Sequence, residues 1–263
     1  MMRRMFMQAA VLGVALSFGA MASAQDLTVG ANVGNVPWEF QDDTGAIVGF
    51  EIDLANEVGK RLGRTVKFEN IPFNGLFSAV QSGRIDMAVS SITITQKRLA
   101  ELSFAQPYYD SDQSLTVTAA SGLTGLADMK GKVIGVDTGS TGDIWATEHM
   151  AEYGFADIRR FEGLAPAMLD LGNGRIDGYI SDIPALQYYV KDKPEFAVVA
   201  RILSGEQYSM MFAKDAPLAA EVSAVLTTLK QEGFLAATHK KWFGTDPEAT
   251  TSTVMVMDMP KLQ

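Results

Sequence analysis

Cysteine is absent from all 263 residues, which excludes disulfides, thiolate nucleophiles and cysteine-bound metal. Histidine is almost absent. His149 and His239 fall in separate predicted helices with no ligand-spaced partner, which argues against zinc. Neither a G-x-S-x-G elbow nor a G-x-G-x-x-G after a strand occurs, so hydrolase and dinucleotide-binding readings lack their motifs. No catalytic residue, metal or cofactor is expected. Asp/Glu pairs are plentiful, but on helix faces that are most simply solvated. Long apolar runs are missing too. The stretch Ala9 to Ala20 is too short and interrupted for the ~20 residues of a membrane span.

That stretch follows Arg3 and Arg4 and precedes the small-x-small triplet Ala22-Ser23-Ala24, the pattern of an export signal over residues 1–24 cleaved before Gln25. With no cysteine after the cleavage site, a lipid anchor is excluded, and the mature chain is expected to be soluble and exported. Basic residues are in deficit. Without Arg3 and Arg4 the 22 Lys and Arg become 20 against 31 Asp and Glu, a net charge of −11. Such a chain is a poor partner for nucleic acid or an anionic membrane surface. Roughly 239 mature residues are enough for two modest domains.

The most informative stretch runs from Gly83 to Arg98, GRIDMAVSSITITQKR. Ile85, Met87, Ala88 and Val89 read as a buried strand after a Gly-Arg turn. Ser91, Thr93 and Thr95 follow, and Thr95 is placed to cap a helix beginning at Gln96. Arg98 in that first turn is disfavoured by roughly 0.3–1 kcal/mol, because the macrodipole is positive there. It makes sense either as one half of a carboxylate site, with the hydroxyls and free amides beside it, or as an ordinary surface arginine. A second copy favours the site. Gly174 to Asp182 reads GRIDGYISD, the same Gly-Arg-Ile-Asp leading into a strand, with Asp182 where the first copy has Ser91. Two similar α/β units, one ending in hydroxyls and an arginine and the other in a carboxylate, suggest two lobes facing one zwitterion. Arg98 would take its carboxylate and Asp182 its ammonium.

Along the chain, Leu27 to Ala31, Trp38 to Phe40, Ile47 to Phe50 and Thr65 to Phe68 read as strands. Ile52, Leu54, Ala55, Val58 and Leu62 mark a helix closed by Gly63. Ile71 to Gly75 reads as a loop before a helix ending at Gly83. In the second half, Ser114 to Val117, Lys132 to Val136 and Ile158 to Phe161 read as strands. Ile144 to Tyr153, Pro166 to Leu171, Ile183 to Val190, Leu218 to Leu229 and Phe234 to Trp242 read as helices. Asp137 to Asp143 forms a Gly/Ser/Thr loop without the ending of a nucleotide P-loop. Asp182 could equally cap the helix that follows it. Val254 to Met257 could add a strand or act as a tether.

Val36-Pro37-Trp38-Glu39-Phe40, Gly49 to Leu54, Phe73-Asn74-Gly75-Leu76, the first Gly-Arg-Ile-Asp, Ile92 to Thr95, Arg98, Phe104 to Tyr109, Gly131 to Val136 and Lys241-Trp242-Phe243-Gly244 occur in one order and spacing. Together they make the chain, from about Asp26 to Gly244, resemble the amino-acid-binding proteins of solute-binding family 3. The resemblance implies the type II, two-lobed α/β periplasmic-binding-protein fold with two crossing hinge segments. Lobe 1 would take residues 25–110 plus 207–245, lobe 2 residues 111–206, with a tail over 246–263. It implies periplasmic capture of a free amino acid by a monomer, for delivery to the membrane permease of an ABC importer. It places Arg98, Ser91 and Thr93 on the ligand carboxylate, with Ser140 and Thr141 over it from lobe 2, and Asp182 on the ammonium. Phe73 forms one wall of the side-chain pocket. Asn35 departs from the usual aromatic on the opposite wall, and Asn32 stands where basic-amino-acid binders carry an acid. Two amides favour a neutral polar ligand, unless both residues are only turn formers. Tyr108 and Tyr109 are expected to pack at the hinge. The alternatives are an exported cyclohexadienyl (prephenate or arogenate) dehydratase on the same fold, or a ligand-sensing domain.

Overall fold

The computed structural model describes residues 26–263, so the export signal predicted over 1–24 lies outside the described residues. The chain opens with β1 (Leu27–Ala31), a short hairpin of β2 (Phe40–Gln41) and β3 (Ile47–Val48), then α1 (Phe50–Arg61), β4 (Val66–Asn70), α2 (Phe73–Gln81), β5 (Met87–Ala88), α3 (Gln96–Glu101) and β6 (Leu102–Phe104). It continues through β7 (Tyr109–Thr118), β8 (Val133–Asp137), α4 (Thr141–Glu148), α5 (Met150–Tyr153), β9 (Asp157–Phe161), α6 (Leu164–Gly172), β10 (Gly178–Asp182), α7 (Ile183–Val190) and β11 (Phe196–Tyr208). It returns by β12 (Met211–Ala213), α8 (Pro217–Gln231) and α9 (Phe234–Phe243). Two five-stranded sheets result, ordered β4-β1-β5-β12-β6 and β11-β7-β10-β8-β9, each packed with helices to make one lobe.

The repeated tetrapeptide performs the same task in each lobe. Gly83 and Gly174 turn the chain at φ +72° and +68°, and Ile85 and Ile176 are buried behind them. Asp86 then accepts from the Thr28 amide at 2.7 Å, and Asp177 from the Val133 amide at 2.9 Å. In return the Asp86 and Asp177 amides donate to the carbonyls of Thr28 and Val133. Each aspartate thus ties the strand it opens to the parallel neighbour, β1 in one lobe and β8 in the other. Arg84 and Arg175 point outward to Glu69 and Asp170.

Helix α1 buries Ile52, Leu54, Ala55 and Val58, as its apolar spacing predicts, with Glu51 and Asp53 in its first turn and Lys60 and Arg61 in its last. The expected strand over Ile47 to Phe50 stops at Val48, because Gly49 turns at φ +144° and Phe50 already starts the helix. The segment Ile71 to Gly75 is not all loop. α2 begins at Phe73 directly after Pro72, whose ring fixes the extended φ of −51° that a helix N-cap needs. Asn-Gly reads as a turn, yet Gly75 is small for packing: a Cβ there would lie 3.1 Å from Ile71 Cγ2. The helix expected at 144–153 starts earlier, at Thr141, and is interrupted at His149.

Two strands cross between the lobes. β7 and β11 pair antiparallel, with Tyr109 opposite Tyr208, Ser111 opposite Glu206, and a shift between Ile202 and Glu206 that leaves Leu203, Ser204 and Gly205 bulged. Asp112 holds that bulge: it accepts from the Ser204 and Gly205 amides, both at 2.8 Å, and from Arg201 Nε at 2.7 Å. Tyr108 and Tyr109 pack as expected. Tyr109 lies 4.6 Å from Trp38 and stacks on Tyr208 at 5.8 Å.

The tail forms a tether rather than a strand. The Ser252 amide donates to Asp110, the Thr253 hydroxyl to the Tyr108 carbonyl, and the Met257 amide to Gln106 Oε1. Buried Lys230 completes the strap by donating to Gln106 Oε1, Pro107 O and Met255 O. Each bond contributes about 1 kcal/mol net. A chain ending at 250 is therefore expected to melt several degrees lower, and an unchanged thermal melt would refute the strap.

Candidate ligand-binding cleft

Between the lobes lies a small cavity bounded by chain segments that leave the C-terminal edges of strands, where open α/β sheets present ligand sites. From the first lobe come Asn32 and Asn35 after β1, Phe73 at the start of α2, and Ser91 and Thr93 after β5. From the second come Asp137 at the end of β8, Ser140 and Thr141 at the start of α4, and Asp182 at the end of β10. All the residues singled out from the sequence therefore meet here, except that Arg98 sits beside the cavity rather than in its lining. The space enclosed is about 30 Å³, room on the order of one water.

The Arg98 guanidinium spans the lobes. Thr95 caps α3 as predicted, accepting from the Arg98 amide at 3.1 Å, so the arginine leaves the first turn toward the second lobe. Nη1 donates to Thr93 O at 2.7 Å and Nη2 to Gly139 O at 3.2 Å. The plane lies near two aromatic rings, 5.0 Å from Phe77 and 5.6 Å from Phe73. Burial lowers its pKa to about 10, with the charges of Glu206 and Asp182 opposing the drop, so it stays cationic at neutral pH. A guanidinium carries five N–H groups, which leaves capacity beyond these carbonyls.

Asp182 does not cap α7 with its side chain; the cap position carries no such bond. Its Oδ1 instead accepts from Gln113 Nε2 at 2.5 Å. Burial and the neighbouring negative charge of Glu206 push its carboxyl up to about 7. Gln113 also donates to Glu206 Oε1 at 3.0 Å, while the Thr93 and Thr141 hydroxyls donate to Glu206 Oε2 at 2.7 and 3.1 Å. Glu206 stands at the end of the bulge that Asp112 holds, which aims it between the lobes. Ser140 is occupied differently from the expectation: its hydroxyl caps α4, accepting from the Asp143 amide at 3.1 Å.

Ser91 is held in a strained conformation, φ +44° for a residue with a side chain. Its amide points into the first lobe and donates to both oxygens of Glu51, at 2.9 and 3.1 Å, and the Tyr108 hydroxyl donates to the same carboxylate. Its hydroxyl accepts from Asn35 Nδ2 at 3.1 Å. Glu39 lies beside Glu51 and accepts from Ser90 at 2.7 Å. Burial, together with the charge of Glu51, raises the Glu39 pKa well above the ordinary range, so this pair shares one negative charge. The pair is a buried brace behind the cleft that sets the Ser91 backbone.

Asp137, Glu206 and Gln113 are site residues that the sequence does not single out. Asp137 reads there only as the first residue of a polar loop. Its Oδ1 is buried without a hydrogen-bond partner, as is the Tyr179 hydroxyl beside it. Burial pushes this carboxyl up to about 7, with Glu162 adding to the rise against Tyr179 and the Gly163 amide. Glu206 carries a weak signal: it is an acid at the 206/207 boundary where the chain is expected to return to lobe 1.

These raised carboxyls give a sign to the pH dependence. A folded-state pKa above the ordinary aspartate value near 4 contributes stability that is full below about pH 4 and is lost as pH rises through about 7. The ligand-free protein is therefore expected to melt higher at about pH 5 than at about pH 8, and Asp137→Asn with Asp182→Asn should flatten that slope. A melting temperature that climbs over the same interval would contradict it.

Known proteins share the sequence pattern and the fold. The model of the bacterial extracellular solute-binding proteins, family 3, matches residues 27–245. The arginine-binding extracellular protein ArtP of Bacillus subtilis is 28% identical over 86% of this chain and 89% of its own. The L-cystine-binding protein TcyJ of Escherichia coli is 29% identical over 84% of this chain and 83% of its own. Among solved structures, the arginine-, lysine-, histidine-binding protein ArtJ of Geobacillus stearothermophilus superposes with a TM-score of 0.78 at 33% identity. That match covers 85% of this chain and 97% of the other.

Proposed function

Because this chain belongs to the bacterial extracellular solute-binding proteins of family 3, we propose that it captures a free amino acid outside the cytoplasm and delivers it to the permease of an ABC importer. One observation carries the reading: a half-buried aspartate lines the cavity from the second lobe, and a buried arginine of the first lobe lies beside it. Arg98 binds the α-carboxylate, with Ser91, Thr93, Ser140 and Thr141 around it and the Thr93 and Thr141 hydroxyls turning from Glu206 to donate to it, and Asp182 binds the ammonium. Phe73 lies along the side chain, and Asn32 and Asn35 meet its polar end. A cavity of about 30 Å³ does not admit an amino acid, so the lobes part to load it. The ligand then favours the closed state because only there does it touch both lobes.

The lobes meet at 110–111 and 206–207, and the hinge is the paired β7 and β11. The protein works as a monomer in the periplasm after losing residues 1–24. Membership in a solute-binding family sets aside the dehydratase alternative. The two asparagines favour a neutral polar ligand, whereas ArtP and ArtJ carry names that include arginine.

A thermal-shift screen of ligand-stripped protein against the common amino acids tests the reading. A ligand at ~100 times its Kd adds ~2.7 kcal/mol, enough for several degrees. A screen in which no amino acid raises the melting temperature would overturn it.

A further inference from the structure

We propose that Asp137 selects the ligand's side chain and that this chain is built for an amino acid whose side chain ends in a positively charged group with several N–H donors. The inference rests on the amino-acid reading above and adds the charge of the side chain, which the asparagines alone leave neutral.

The site has two chemically distinct ends. At one, Arg98, Thr93, Thr141, Gln113, Glu206 and Asp182 form a connected set in which each carboxylate accepts from named donors. Asp137 stands apart from that set. Its surroundings are instead Gly163, Tyr179 and Glu162. Asn32 reaches the same place from the first lobe: a Cβ on Gly163 would lie 3.4 Å from Asn32 Nδ2 and 3.8 Å from its Oδ1. The wall opposite the zwitterion-binding end is thus made of one carboxylate and one amide, drawn from different lobes.

Asp137 lines this end, and its Oδ1 is shut off from solvent with no donor in good hydrogen-bonding geometry; the Tyr179 hydroxyl and the Gly163 amide beside it are neutral and do not offset a charge. A buried carboxylate oxygen without a partner costs several kcal/mol, and it is retained where something else supplies the donor. A neutral amide could donate one bond but would leave the charge uncompensated. A guanidinium or ammonium both donates and neutralises. The charge balance points the same way. With Asp137 and Asp182 ionised, they and Glu206 face Arg98 across the cleft, and a zwitterion with a neutral side chain adds no net charge. A cationic side chain brings the surplus down by one and places the new charge at the unpartnered oxygen.

The test is titration calorimetry with arginine, its uncharged isostere citrulline, and glutamine, on wild type and Asp137→Asn. The wild type is expected to bind arginine at least about tenfold tighter than citrulline or glutamine, and Asp137→Asn to erase that ratio while keeping its citrulline affinity. Asp137→Ser carries the same comparison should the asparagine variant not fold. Equal wild-type affinity for arginine and citrulline, or an arginine preference that survives in both variants, overturns the role of Asp137 and leaves the amino-acid receptor standing. Failure of the wild type to bind any of the amino acids in the thermal-shift screen overturns the receptor reading itself, and this inference with it.

Discussion

Asp182→Asn and Arg98→Ala are each expected to weaken amino-acid binding by on the order of 10²–10³-fold, while leaving the fold in place. Arg98 is buried and Asp182 half-buried where the lobes meet, so the ligand's charges have little water to fall back on once the cleft closes. Removing one partner of such a pair strands the other, at about 3–5 kcal/mol. At 1.4 kcal/mol per decade, that is about two to three and a half orders of magnitude in Kd. The two variants should differ in their side effects. In Asp182→Asn the new amide oxygen can still accept from Gln113, and the carboxylate whose ionisation burial opposes is gone, so the ligand-free protein should be as stable or slightly more so. Arg98→Ala gives up the bonds to Thr93 O and Gly139 O and the packing on Phe73 and Phe77, so some stability goes with it. Calorimetric titration read beside a thermal melt separates these effects. Affinity within threefold of wild type in either variant would remove that residue from the ligand's charge pairing.

Gly49→Ala is expected to be the most destabilising single methyl in the molecule, by about 3–6 kcal/mol. The residue turns β3 into α1 at φ +144°, a conformation that L side chains rarely adopt. A Cβ there would fall 2.0 Å from Trp38 O, 2.5 Å from Trp38 C and 2.9 Å from the Glu39 amide nitrogen. Those atoms are backbone and cannot rotate aside. Moving them would break the bonds from Phe50 N to Pro37 O and from Glu51 N to Trp38 O, at 2.9 and 3.0 Å, and disturb the Glu39–Glu51 brace. Gly45→Ala is the control. At φ +84° with nothing within 4 Å, it meets only the backbone preference, roughly 1 kcal/mol. Urea melts of the two variants should differ by more than twofold in lost stability, and similar losses would show that the Trp38 contact yields.

Much of this is legible in the sequence because it is local. The Gly-Arg-Ile-Asp repeat marks the same strand junction in both lobes, Thr95 caps α3, and the apolar spacing of α1 reports its buried face. Arg98 stands out because a cation is awkward in a helix's first turn, and Asp182 because it replaces Ser91 in the second copy of the repeat. The parts that are not legible depend on distant partners. Asp137 and Gly163 are 26 positions apart and meet through the pairing of β8 with β9, while Asn32, more than a hundred positions from Asp137, joins them only across the cleft. Glu206 reaches the cleft through a bulge set by Asp112, a register effect that no composition announces. Phe73 reads as loop because Pro72 and Gly75 flank it, and in the structure Pro72 instead sits at the N-cap of α2.

The order of the first sheet, β4-β1-β5-β12-β6, puts a strand from near residue 211 between two that lie before residue 105. A chain emerging from its N-terminus therefore completes the second sheet, whose members all come from 109–208, before the first can be joined across its middle. Until residues 211–213 arrive, β5 and β6 each present an unpaired edge. The lobe begun first is thus the lobe finished last, and its closure waits on contacts more than a hundred residues apart, the kind that slows folding. Fragments that stop short of residue 211 should consequently hold a folded second lobe beside an open, protease-sensitive first one.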